Sequence, residues 1–441
     1  MKLIFLNRFF FPDHSATSQM LSDLAFALAE RGGDVAVIAS RQRYDAPADR
    51  LAPRQTVNGV TVYRVWTSRF GRANLLGRAL DYASFYLAAA WQLWRLARSG
   101  DVVIAKTDPP MLSVVAAAMC WLRGARLVNW LQDIFPEAAE ALRVGGHAAR
   151  LPYALMRWLR NRSLRGASMN VVLGECMAAR VAGLGISRDQ VRVIPNWADG
   201  TIIVPKDHEA NALRADWGLT GKFVVGYSGN LGRAHEIDTL LDAMAIVESA
   251  GAPTTTAGDV SRHRPILWLF IGNGALFEPL KAEVAGRGLS SVRFKPYQPS
   301  ALLSQSLSAA DVHLVSLRPE LEGLIVPSKF YGICAAGRPT IFVGDRDGEI
   351  ARLVALHDCG RTIATGDGAG LARTVLDLAA NPAGCRHMGE RARRAFDAEF
   401  DKSIAMARWE KLFGMSDEQT GIVIGEVRAF SQGCAAKGRG D

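Results

Sequence analysis

Two kinds of hydrophobic pattern take turns along the chain. Short apolar runs stand at 2–6, 34–39, 60–65, 102–105, 127–131, 169–173 and 191–194. Between most of them apolar residues recur at helical spacing, as Met20, Leu21, Leu24, Ala27 and Leu28 do. Apolar runs without alternation predict strands covered on both faces, the condition of a parallel sheet. Such strands alternating with helices predict βαβ units. A second series begins near Phe223, with strands expected at 223–227, 267–271, 292–294, 312–315 and 340–343, and helices between them, for example at 237–249 and 276–287.

The fold class expected is therefore α/β, with two successive Rossmann-like, doubly wound domains. One occupies 1–200 and the other 201–399, with the boundary near 196–206. A helical run over 390–413 is expected to break near Phe400, and its last part, 400–415, to pack back on the first domain. The stretch 251–264 (GAPTTTAGDVSRHR) is polar and turn-rich and reads as an exposed insertion, and 416–441 reads as a frayed tail.

Composition narrows the function classes. At 441 residues, 49% hydrophobic and 22% charged, the chain has material for two cores and is no disordered polymer. Its net charge is +9, from 52 Lys+Arg against 43 Asp+Glu, which suits an anionic partner. Lys-rich runs and nucleic-acid motifs are missing, so phosphate ligands and an anionic membrane surface are favoured and no nucleic acid is expected. The cysteines, Cys120, Cys176, Cys334, Cys359, Cys385 and Cys434, are scattered with no CxxC, which predicts a reduced compartment and no structural metal. The opening MKLIFLNRFFF is interrupted by Asn7 and Arg8, so a strand is expected there rather than a signal peptide. No apolar run is long enough to predict a membrane-spanning helix.

In open parallel sheets ligands bind beyond the carboxyl ends of the strands. Four such loops hold candidate chemistry. In the first, 8–18, His14, Ser15 and Thr17 enter a helix whose free N–H groups can meet an anion or hydroxyls; Ser15 or Thr17 also fits a plain N-cap. In the second, 130–137, Gln132 and Asp133 offer an amide and a carboxylate to sugar hydroxyls; a turn with Asp133 capping the next helix fits equally. In the third, 226–236, Gly229 lets backbone approach a diphosphate, beside Asn230, Arg233 and His235. Its glycine spacing is not that of a dinucleotide site, and a tight turn with solvated Arg233 explains it too. Asn273, in the related 271–274, would lie next to it or mark only a turn. The fourth loop, 319–339, places Glu320, Glu322 and Gly323 before Pro327-Ser328-Lys329, which open a small-residue helix closed by Gly337. Ser328 and the N–H groups behind it can bind phosphate, Lys329 can neutralise it, and either glutamate can hold ribose or sugar hydroxyls. A capped, closely packed helix is the plainer alternative.

The fourth segment resembles the signature of family 4 glycosyltransferases: an acid and Gly, then Pro, then a small-residue helix closed by Gly-x-Pro. Gln132-Asp133-Ile134-Phe135-Pro136-Glu137, Ile194-Pro195-Asn196 with Asp199, and Tyr227-Ser228-Gly229-Asn230 match in the same order, over roughly 1–415. Pro-Ser-Lys with an aromatic resembles a bacterial branch that extends lipid-linked surface polysaccharide precursors, including N-acetylfucosamine transferases. The resemblance implies the GT-B fold, in which the two Rossmann-like domains face a cleft, and retaining transfer, with a UDP-linked, N-acetylated sugar as donor. It implies a lipid-linked acceptor of the undecaprenyl-diphosphate type, in polysaccharide or lipopolysaccharide biosynthesis, with no cofactor or bound metal. Asp133, Lys329 and Arg233 are the catalytic candidates. Gly229, Asn230, His235, Asn273, Glu320, Glu322, Ser328 and Lys329 are expected on the donor, and His14, Ser15, Thr17 and Gln132 on the acceptor. The chain departs from the family at Gly332, where a glutamate is common, and at Asn230 and His235, where Arg and Lys are common. Two rivals stand beside this reading: a UDP-sugar 2-epimerase, and a non-catalytic nucleotide-sugar-binding subunit.

Two basic, aromatic segments point to a membrane. The first, 82–96, holds Tyr82, Phe85, Tyr86, Trp91 and Trp94 between Arg78, Arg95 and Arg98. The second, 150–165, carries Arg150, Arg157, Arg160, Arg162 and Arg165 and no acid. The pattern predicts helices lying in the bilayer interface with arginines at the headgroups, the alternative being a core helix with a solvated basic face. A cytoplasmic protein attached peripherally to the inner face of the membrane is the localisation expected.

Overall fold

The apolar runs become strands buried on both faces. In the computed structural model, residues 1–13, 15–44, 49–71, 75–146, 150–250 and 264–415 are described. His14, 251–263 of the expected insertion and the expected tail 416–441 lie outside them. Backbone contacts divide the chain into two units: Met1–Pro195 with Gly323–Ile325 and the helical segment from Met406, and the rest.

The first unit runs β1 (Lys2–Leu6), α1 (Ala16–Glu30), β2 (Asp34–Ser40), β3 (Arg54–Val57), β4 (Val60–Val65), α2 (Leu75–Leu96), β5 (Val102–Lys106), α3 (Leu112–Arg123), β6 (Arg126–Trp130), α4 (Glu137–Ala141), α5 (Arg150–Gly166), β7 (Met169–Val172), α6 (Glu175–Gly183) and β8 (Val191–Val193). Its sheet has the order β3-β4-β2-β1-β5-β6-β7-β8. All neighbours are parallel except β3, which pairs antiparallel with β4. That short edge strand, RQTV, is polar and half-exposed and has no apolar run to announce it. Phe85, Ala89 and Leu93 of α2 and Leu112, Ala116 and Cys120 of α3 press on Ile4, Leu6, Val103 and Leu127 of one sheet face.

The second unit contains α7 (Ala212–Asp216), β9 (Phe223–Asn230), α8 (Asp238–Ala250), β10 (Ile266–Asn273), α9 (Phe277–Gly286), β11 (Val292–Lys295), α10 (Leu303–Ser308), β12 (Val312–Ser316), α11 (Lys329–Ala335), β13 (Thr340–Val343), α12 (Glu349–Leu356), β14 (Gly360–Ile363), α13 (Gly368–Ala380) and α14 (Pro382–Ala395). The sheet order is β11-β10-β9-β12-β13-β14, all parallel. Strand β14, GRTI, escapes the hydrophobic pattern because only its last residue is a buried apolar one. Phe223, Trp268 and Phe270 are fully buried against α8 and α13; truncating Phe270 to Ala would cost about 3–5 kcal/mol.

The expected break at Phe400 is a π turn over Phe396–Phe400, followed by α15 (Lys402–Phe413). Within the first unit, Trp409 lies 4.8 Å from Trp130 ring to ring, and Arg31 pairs with the buried Glu410 at 3.1 Å.

Both sheets share one topological feature. The chain leaves β1 to build β2 on one side and returns to build β5 on the other. It leaves β9 for β10 and returns to β12. At such a switch point the following loops diverge to opposite faces and open a crevice beyond the strand ends, where doubly wound folds hold ligands.

Candidate functional site

The switch point of the second unit holds a connected set of side chains. His235, in the loop after β9, has Nδ1 2.7 Å from the Ser316 carbonyl at the end of β12. That carbonyl can only accept, so Nδ1 carries the proton and Nε2 is left as an acceptor. Lys329 Nζ, at the start of α11, donates to this Nε2 at 3.0 Å and lies 5.2 Å from the centre of the Tyr227 ring. Burial lowers the Lys329 ammonium to about 8. Burial first, and the Lys329 charge second, lower His235 to about 4. At neutral pH the pair is a cation presented by a neutral imidazole.

Glycine makes room for this cation. A Cβ at Gly229, where φ is +127°, would stand 2.8 Å from Lys329 Cε. At Gly272, with φ +137°, it would stand 2.2 Å from the Gly229 carbonyl oxygen. The two glycines pair in register, as do Asn273 and Asn230. This extends the expected strands, which were to end at 227 and 271: β9 runs on through Asn230 and β10 through Asn273, because glycine tolerates the left-handed conformation needed for so close an approach.

The remaining donor candidates divide. Asn230, Asn273 and Arg233 are exposed at or just after the strand ends. Ser328 is exposed at the N-cap of α11 and makes no side-chain cap bond. Glu320 is exposed and accepts from Arg318 at 2.6 Å. Glu322, expected on the donor, accepts the Glu349 N–H at 2.9 Å, so its carboxylate caps α12. Gly332 faces Leu307 and Ile203, both apolar, at ordinary contact distance for an added Cβ.

The switch point of the first unit is built differently. Thr17 Oγ1 reaches Asp108 Oδ2 at 3.5 Å, and the Thr17 carbonyl accepts from Lys106 Nζ at 3.0 Å, tying α1 to the end of β5. Lys106 is wholly buried with its Nζ 3.7 Å from the centre of the Trp130 ring, and burial brings it down to about 7 against the opposing pull of Asp108. Asp133, just past β6, is raised to about 6, chiefly by burial; a Thr107 hydrogen bond opposes the shift and Asp108 adds to it. Asp133 Oδ1, Gln132 Nε2 and Ser15 Oγ are shielded from solvent and have no hydrogen-bond partner among the described residues. Such atoms are costly unless something completes them. A cavity of about 20 Å³, room for one water, is lined by Thr107, Asp133, Phe135 and Arg160 among others.

Ser15 occupies the N-cap of α1 without making a cap bond, so the plain capping reading of that loop fails for its side chain. Asp13 shapes the loop instead, accepting from Ser15 N at 2.9 Å and from Tyr44 N. The backbone of the loop after β6 is fixed by Ile134 N–H donating to the Leu324 carbonyl at 2.8 Å. Lys106, Thr107, Asp108 and Asp13 escaped sequence reasoning. The signal for three of them was a lysine, threonine and aspartate ending an otherwise apolar strand. Among the described residues no group of three His, Cys, Asp or Glu side chains is placed to hold a metal ion.

The α5 arginines are corrected in part. Arg160, expected at lipid headgroups, is 5% exposed and donates to Glu137 at 2.6 Å and to the Phe135 carbonyl at 3.0 Å. Arg157 pairs with Glu140. Both join α5 to α4, and among the described arginines of the helix Arg162 and Arg165 are the exposed ones.

Comparison with known proteins agrees with this division. Residues 16–197 match the model of the glycosyl transferase 4-like domain, and residues 209–395 match glycosyl transferases group 1. The chain is 29% identical over 318 residues to "Probable glycosyltransferase WbjE" of Pseudomonas aeruginosa, covering 70% of this chain and 74% of the relative. It is 23% identical over 372 residues to WcaI of Escherichia coli K12, whose name associates it with colanic acid biosynthesis; 80% of this chain and 86% of that one are covered. Among solved structures, Anabaena Alr3699/HepE in complex with UDP superposes with a TM-score of 0.67 at 16% identity, over 94% of this chain and all (100%) of that one. WaaG, a glycosyltransferase involved in lipopolysaccharide biosynthesis, gives 0.66 at 16% identity, over 93% and 100%. At these identities the structural likeness establishes the fold alone.

Proposed function

We infer, from the premise that the chain belongs to the family 4 glycosyltransferases of the GT-B fold, that it moves an N-acetylated sugar from a UDP-sugar to a lipid-linked acceptor. Glycosyl transfer is the activity that both matched families and both relatives share by name. The observation that carries the donor assignment is the Lys329–His235–Ser316 chain at the switch point of the second sheet. A half-buried cation there, beside glycines that let backbone come close, suits a diphosphate. The UDP bound in the Anabaena structure supports the same choice of nucleotide.

In a front-face transfer, the bond from the anomeric carbon to the diphosphate oxygen breaks. The acceptor oxygen bonds that carbon on the same face, and its proton passes to a diphosphate oxygen, so the anomeric configuration is retained. Negative charge grows on the leaving diphosphate. Lys329, Arg233 and the N–H groups near Ser328 stabilise it, a task that calls for no bound metal. Asn230, Asn273 and Glu320 stand by for ribose or sugar hydroxyls. In the first unit Asp133 Oδ1, Gln132 Nε2 and Ser15 Oγ take acceptor hydroxyls, and His14 and Thr17, neighbours of Ser15 in the sequence, are assigned the same task. The named relatives in colanic acid and lipopolysaccharide biosynthesis support a surface polysaccharide precursor as product, made at the cytoplasmic face of a membrane. The epimerase reading gains nothing from either matched family.

The test is incubation with a panel of UDP- and GDP-sugars and a membrane lipid extract, followed by mass spectrometry and NMR of the product. A lipid-linked sugar of retained configuration is expected. A free epimer, or inverted configuration, would overturn the reading.

A further inference from the structure

We propose that the outer faces of α2, α3 and α5 form one surface that docks the protein on an anionic bilayer. The inference deepens the proposed function, resting on its lipid-linked acceptor for a purpose, while the surface itself stands on separate observations. The three helices are neighbours on one side of the first sheet: α2 and α3 press on the same core, and Ser163 of α5 bonds the Ser113 carbonyl of α3 at 3.0 Å. Such an outer layer meets water and should be polar. Here it is not.

On α2, Leu80, Leu87, Trp91 and Trp94 are exposed and fall on one stripe at helical spacing, opposite the buried Phe85, Ala89 and Leu93. On α5 the spacing i, i+4, i+7 sets Leu151, Leu155 and Trp158 on one exposed stripe. On α3, Trp121 is 84% exposed. By contrast, the helices of the second unit expose large apolar residues singly, as Ile246, Leu356 and Leu376, which is ordinary.

Charge selects the occupant. The three helices carry a single acid, Asp81, and it is buried. Arg95 and Arg162 are exposed, and Arg123 lies 5.6 Å from the centre of the Trp94 ring, which stacks on Trp91 at 5.2 Å. Tryptophans with arginines beside them and no exposed carboxylate fit the headgroup layer of an anionic leaflet, where indoles sit among the headgroups and guanidinium groups meet phosphate. The apolar stripes, rather than Arg157 and Arg160, make the contact. No described helix is long and apolar enough to cross the bilayer, so the attachment lies in the interface.

The experiment is co-sedimentation of the full chain with vesicles of phosphatidylcholine alone or mixed equally with phosphatidylglycerol, alongside a variant with Trp91→Glu, Trp121→Glu and Trp158→Glu. Expected are binding to the anionic vesicles, tryptophan quenching by brominated lipid, and at least a tenfold loss of binding in the variant. UDP affinity and the circular dichroism spectrum should stay unchanged in the variant. No vesicle binding by the native chain, or equal binding by the folded variant, overturns the proposal. So does a lipid-free dimer in sedimentation velocity that the variant abolishes, since the face then belongs to a second copy. If vesicle binding behaves as expected while UDP fails to bind, the donor reading falls and this surface stands.

Discussion

The two switch points solve the same topological problem with opposite chemistry. In the second unit the polar groups satisfy one another: Lys329 on His235, His235 on Ser316. In the first unit Asp133 Oδ1, Gln132 Nε2 and Ser15 Oγ are shielded from water and, among the described residues, left without partners. A finished chain that presents one charge suits a ligand part common to every donor, the diphosphate. Unfinished hydrogen-bonding groups suit a ligand that must bring its own hydroxyls and is rejected when it lacks them. On the proposed reading, the same fold, used twice, serves affinity at one site and selectivity at the other.

That contrast can be broken at several points. The largest effect is expected at Lys329→Ala, which removes the charge that meets the leaving group: turnover should fall on the order of 10²–10³-fold, read in a steady-state transfer assay, with thermal stability nearly unchanged. Asp133→Asn should lower turnover by about 10²-fold through its hydroxyl contact while leaving UDP affinity at the native value. A parallel loss of UDP affinity would erase the division of labour.

Protonation sharpens the comparison. The diphosphate favours charged Lys329, so UDP affinity should be level below about pH 8, the Lys329 value in the free protein, and weaken as pH rises through it. The fall approaches tenfold per pH unit until the higher value of the bound state is reached. Calorimetry across pH 6.5–9.5, a range chosen to bracket about 8, should show this slope in the native chain and its loss in Lys329→Arg, whose charge does not titrate there. Gly229→Ala should weaken UDP several-fold, since the new methyl displaces Lys329 and strains the backbone. The smallest effect is expected at Gln132→Ala: a few-fold rise in acceptor KM, about 1 kcal/mol, with the donor KM unmoved.

How far the sequence reveals this arrangement depends on what each element needs. Strands buried on both faces announce themselves through uninterrupted apolar runs, so LIFL and VVIA were legible. The edge strand RQTV and the terminal strand GRTI were not, for they lack such runs. His235, Gly229 and Lys329 were legible because glycine, then charge, follows a strand. Glu322 misled for a local reason: an acid beside glycine serves a helix N-terminus as readily as a sugar. Lys106 and Asp108 are not legible, because a charged end to a buried strand reads as its boundary rather than as chemistry. The arginines of α5 misled because sequence shows their number but not the glutamates of α4 waiting for two of them.

The most direct measurement compares UDP with UMP by calorimetry on the full chain and on Lys329→Ala. If Lys329 grips the second phosphate, the native chain binds UDP at least about tenfold more tightly than UMP, a difference near 1.4 kcal/mol, and the variant binds the two alike. An undiminished preference for UDP in a folded Lys329→Ala protein would contradict the assignment.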